Sequence, residues 1–137
     1  MQFSKDYKKI KGDASFRKFF RNKKTKSILV YAKKEKDKNL LIYDAINKIL
    51  IKNGVIAPKL LRQNYKKNYI EIEDLGDKTI YQSFLDKEKN HYLIFKNVIK
   101  ILNKIQTIKN KKIKNFNNRL HKVKYYEKNI LFDEVKL

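Results

Sequence analysis

At 137 residues the chain has room for one domain with a real core, and not for two ordinary ones. It contains no cysteine, which excludes disulfides, thiolate metal sites and a cysteine nucleophile, and its apolar share of 42% argues against wholesale disorder. The formal charge of +21 points toward nucleic acid, yet nearly all of it is lysine, with arginine only at Arg17, Arg21, Arg62 and Arg119.

Residues 7 to 33 read as three short strands, "KKIK", "SFRKFFR" and "SILVYAK", separated by "GDA" and "NKKTK". In the third, Ile28, Val30 and Ala32 face one way and Leu29 and Tyr31 the other. From Lys38 to Asn53 the period becomes helical, with a stripe of Ile42, Ala45, Ile46, Ile49 and Leu50, and Asn53-Gly54 as the stop. "KLLRQNY" and "NYIEIED" then form two strands around Lys66-Lys67. Ile70 and Ile72 alternate there with Glu71 and Glu73, as in a strand with one buried face. A short helix is expected from about Thr79 to Leu85. A longer one, from about Asn90 to Ile108, carries an apolar face of Ile94, Val98, Ile101, Leu102, Ile105 and Ile108. "KNKKIKNFNN" (109–118) reads as a polar connector, and the tail from Lys124 as the start of a helix with Tyr126, Ile130, Leu131 and Val135 periodic. The fold class is α+β: a five-stranded antiparallel sheet with one helix inserted after the third strand, followed by C-terminal helices.

The lysine excess has a bland explanation. Lysine, isoleucine, asparagine, phenylalanine and tyrosine share AT-rich codons, and arginine, which suits bidentate phosphate recognition, is scarce here. No apolar run approaches the roughly 18–20 residues of a membrane span. The N-terminus also lacks the apolar core of a signal peptide. A cytoplasmic protein with no membrane partner is expected.

Three stretches carry a resemblance: "GDASFRKFFR" (12–21), "NGVIAPKLL" (53–61) and "YIEIEDLGDKTI" (69–80). With the element order, they resemble the N-terminal lobe of the kinase-like aminoglycoside phosphotransferase family, and most nearly its bacterial N-acetylmuramate and N-acetylglucosamine kinases. The resemblance implies a kinase-like lobe over 1–78 ending in a hinge. Residues 79–137 would then be linking helices and the start of a second lobe. It further implies that Gly12, Asp13, Ala14, Ser15 and Phe16 form the nucleotide-covering turn. There a glycine lets backbone N–H groups approach phosphate, and Arg17 or Lys18, whichever faces inward, adds charge. Glu73, Asp74, Leu75 and Gly76 would offer hinge backbone groups to adenine. The same residues also serve as a plain β-turn and as a strand-terminating turn.

In that fold a strand-three lysine pairs with a helix acid to hold phosphates. Lys33 and Lys34 are candidates for the lysine, although alignment with the sugar kinases puts Val30 or Tyr31 at that point. Asp44 is either the helix acid or a solvated aspartate. The implied cofactors are ATP and Mg²⁺, and the implied substrate of the intact enzyme is a sugar hydroxyl. The family's H-x-D-x-x-x-x-N loop is missing, for neither His91 nor His121 is followed by the required aspartate. No catalytic residue is therefore expected in this chain, which reads as an N-terminal fragment, inactive alone, with an uncapped tail at Leu137. The alternatives are a small basic nucleic-acid-binding protein using lysines and aromatic platforms, and a non-catalytic kinase-like interaction module.

Overall fold

Ile28 lies opposite Ile72, and Val30 opposite Ile70, and this register builds the centre of the sheet. The structure, a computed structural model, describes residues 5–10, 16–33, 39–85, 90–123 and 132. Strands β1 (Tyr7–Ile10), β2 (Lys18–Asn22), β3 (Ser27–Tyr31), β4 (Leu60–Asn64) and β5 (Tyr69–Glu73) form one antiparallel sheet in the order β1-β2-β3-β5-β4. Helix α1 (Asn39–Lys52) is inserted between β3 and β4, and α2 (Ile80–Leu85) and α3 (His91–Gln106) follow β5. The α+β class and the five-stranded antiparallel sheet are thus those expected from periodicity.

One face of the sheet carries Ile10, Phe19, Ile28, Val30, Ile70 and Ile72, and Leu40 and Tyr43 of α1 pack against it. Polar side chains make the turns between strands. Asn22 Oδ1 accepts from Lys24 N and Thr25 N between β2 and β3, and Asn64 Oδ1 accepts from Lys67 N between β4 and β5. Asn68 completes the second turn at φ 59°. Helix α1 stops as expected, with Gly54 at φ +66° and Val55 N donating to Leu50 O.

Four local expectations are corrected. The buried stripe of α1 is rotated: Leu40, Leu41, Asp44, Ala45 and Ile49 are buried, while Ile46 is exposed. Asp44 can occupy a core position because its carboxylate is fully engaged there. Glu71, expected on the solvent side of β5, is only 3% exposed, for the reason given below.

Segment 109–118 is more than a connector. It contains β6 (Lys112–Lys114), paired with β7 (Leu120–Lys122) in a hairpin. Asn115 Oδ1 holds the turn by accepting from Asn117 N and Arg119 N, with Asn118 at φ 56°. The Phe116 ring meets Tyr65 edge-on at 5.7 Å. Finally, α3 buries none of its residues, so its apolar face looks outward rather than into a core. The periodic tail lies outside the described residues except for Phe132, which is exposed.

Candidate functional site

Arg21 organises the end of the sheet. Its register opposite Ile28, itself opposite Ile72, aims the side chain along the α1-facing side toward the loop after β5. Nη2 donates to Asp74 Oδ1 at 3.0 Å and to Gly76 O at 2.9 Å, and Nη1 donates to Asp77 Oδ2 at 3.0 Å. Nε lies 2.8 Å from Asp74 Oδ2 without hydrogen-bond alignment. Gly76 N closes a small turn onto Asp74 Oδ1, and Gly76 stands at φ +94°. One guanidinium thus fixes the shape of residues 74–77.

Between this loop and the sheet lies an open cleft of about 390 Å³. Ile10, Phe19, Ile28 and Ile72 form its floor, Tyr43 and Pro58 one side, and Glu73 to Asp77 with Thr79 the rim. A flat apolar floor edged by backbone is suited to a planar heterocycle. Along the rim, Glu73 N donates to Lys59 O, Asp74 N to Lys26 O and Gly76 N to Asp74. The Leu75 N–H is left without a protein partner among the described residues.

The proposed site residues separate into groups. Gly12, Asp13, Ala14, Ser15 and Lys34 lie outside the described residues. Phe16 is 58% exposed, and the Arg17 guanidinium lies 5.9 Å from its ring centroid. Arg17 also stands 5.3 Å from the centroid of Tyr43, a cleft wall, so of Arg17 and Lys18 it is Arg17 that turns inward. Lys18 shares a face with Phe20, on the other side of β2 from Phe19 and Arg21.

Lys33 is exposed, and its carbonyl accepts from Asn68 Nδ2. Asp44 is neither solvated nor turned to Lys33. At 2% exposure its Oδ2 accepts from Lys48 Nζ and from Phe116 N, each at 2.8 Å, tying the hairpin to α1. Glu73, Asp74, Leu75 and Gly76 do come together on the rim of the cleft.

Sequence reasoning missed Arg21 and the Glu71 cluster. The available signal was the rarity of arginine: three of the four arginines hold specific partners, Arg17 on Tyr43, Arg21 on Asp74 and Arg62 on Glu71. On the face away from α1, Glu71 Oε1 accepts from Tyr7 OH at 2.8 Å and Ser27 Oγ at 2.5 Å. Its Oε2 accepts from Arg62 Nε at 2.8 Å and lies 2.7 Å from Nη2. Burial alone pushes the Glu71 carboxyl up, but hydrogen bonds from Ser27, Tyr7 and Arg62, with the Arg62 charge, outweigh it and hold the pKa below the ordinary value. Burial and the Glu71 carboxylate push the Tyr7 hydroxyl the other way, upward. These residues join β1, β3, β4 and β5 and do not line the cleft.

The donor set does not suit a divalent cation. Asp74 and Asp77 are turned to Arg21, and among the described residues no three acids or histidines cluster as ligands. Compared with known proteins, the chain matches no family model, no curated protein and no solved structure.

Proposed function

We propose that this chain contributes the nucleotide-covering half of an ATP-dependent phosphotransferase that acts on a sugar or aminoglycoside-type hydroxyl. The observation that carries the reading is the rim of the cleft, where a free Leu75 N–H borders an apolar floor between β2, β3 and α1. An adenine ring needs such a donor for an acceptor nitrogen, and neighbouring carbonyls for its amino group. Arg17, held inward over Tyr43, supplies positive charge beside the same wall. The chain holds no acid arranged to accept the hydroxyl proton or hold Mg²⁺, so the reading gives it nucleotide binding and no turnover alone.

The test is competition between nucleotides. ATP and adenosine should displace a fluorescent adenine nucleotide at comparable concentrations, and GTP should compete poorly. Equal displacement by ATP, GTP and inorganic triphosphate would reduce the interaction to polyanion binding and remove the proposal.

A second reading, a nucleic-acid binder, is favoured by a basic hollow of about 270 Å³ along β1 and β2, lined by Lys5, Lys8, Lys23 and Lys24 with Asp6 and Arg21. Affinity for a single-stranded oligonucleotide would then fall with log[salt] by about 0.7 per phosphate neutralised. A flat salt response excludes this reading.

A further inference from the structure

Helix α3 is a basic amphipathic helix whose apolar half is uncovered. At about 100° per residue, Tyr92, Phe95, Val98, Ile99 and Leu102 share one side. Ile99 and Leu102 are 55% and 52% exposed. Helix α2 extends the same surface, because Phe84 meets Phe95 at 4.7 Å between ring centroids and Ile80, Tyr81 and Leu85 are exposed beside it. Neither helix contains an acid, whereas Lys96 and Lys100 flank the apolar side of α3. Lys104, one turn on, is engaged instead by the Gly54 carbonyl at 2.8 Å.

We propose that this surface lies on an anionic lipid bilayer, with the apolar side of α3 at the boundary between headgroups and acyl chains and Lys96 and Lys100 on anionic headgroups. One occupant then answers both the apolar stripe and its basic flanks. A second copy answers only the stripe, since it would bring like charge to like charge in a chain of formal charge +21. The sequence reading found no membrane partner because it looked for a span, and among the described residues no helix is long and apolar enough to cross a membrane. Surface attachment needs no span. The inference is independent of the nucleotide reading.

The chain has no tryptophan, so Phe95→Trp provides a single reporter on the exposed side. Its emission should shift to the blue with vesicles of phosphatidylcholine and phosphatidylglycerol. Lipids brominated in the acyl chain should quench it, and pure phosphatidylcholine should have little effect. In that background, changing both Ile99→Ser and Leu102→Ser should weaken partitioning by about tenfold or more. The far-UV spectrum should not change, because neither side chain is buried. Three outcomes overturn the proposal. One is sedimentation with anionic vesicles without blue shift or quenching, which is adsorption by charge alone. Another is a blue emission without vesicles together with a dimeric mass by light scattering, which means a second copy covers the face. The third is no binding at all.

Discussion

Arg21 on β2 reaches past two strands to hold Asp74, with Nη2 at 3.0 Å from Oδ1, and the same guanidinium takes Asp77 and the Gly76 carbonyl. The loop that rims the cleft therefore depends on a residue more than fifty positions earlier, and its shape is set before any ligand arrives. Arg21→Ala removes the fork and leaves a largely buried Asp74 carboxylate beside no cation. The expected loss of stability is about 1.5–3 kcal/mol, read from denaturant midpoints. Amide exchange of residues 74–77 should speed up as well. Arg21→Lys should restore only part of the loss, because an ammonium cannot make the forked contact.

The Glu71 cluster makes stability depend on acid. Its folded pKa lies below the ordinary 4.5, so as pH falls the unfolded chain takes up the proton first. The stabilisation is fully present above the unfolded value and is lost as pH falls through the folded one. Urea midpoints between about pH 3 and 7 should show this slope. Glu71→Gln should flatten it, and should also lower stability near neutrality by about 1–3 kcal/mol. A variant with an unchanged acid slope would assign the pH response to other groups.

Asp44 is expected to matter for the hairpin rather than for phosphate. Asp44→Ala removes the acceptor of Phe116 N and the partner of Lys48, at a cost of about 1–3 kcal/mol. The Phe116 amide should lose protection from exchange more than the amides of β3 and β5. Equal loss across the sheet would mean that Asp44 supports the whole core instead.

Gly54 offers a test of backbone geometry. At φ +66° an alanine is strained by about 1–2 kcal/mol, and its Cβ would lie 2.9 Å from Lys104 Nζ. That ammonium is the end of a flexible side chain and can withdraw, but it then gives up the Gly54 carbonyl. Gly54→Ala should lower the thermal midpoint. Changing Lys104→Ala in the same chain should make the glycine substitution less costly.

How much was legible follows from the range of the interactions. Ile70 and Ile72 in β5, the run Ile28 to Tyr31 in β3 and the stop at Gly54 are set by neighbours in sequence, and periodicity reads them directly. Glu71 misleads the same alternation, because what buries it comes from Tyr7 and Ser27, 64 and 44 positions away. The hairpin at Lys112 to Lys122 was missed because three-residue strands of Lys-Ile-Lys type look like a polar connector, and their anchor on Asp44 lies 72 positions back. In the candidate site the rim residues Glu73 to Gly76 were legible as a turn that ends a strand. Arg21, which holds that turn, was hidden among lysines.

The central claim is that the rim at Leu75 and the floor between β2, β3 and α1 receive an adenine nucleotide. Titrating ATP into isotope-labelled chain and following the amide signals tests it most directly. The account expects saturable shifts confined to Arg21, Ile28, Ile72 and Glu73 to Asp77, reproduced by adenosine and abolished in Leu75→Pro, which removes the N–H. Shifts spread over the lysines of β1 and β2, erased by salt and unaffected by Leu75→Pro, would contradict it.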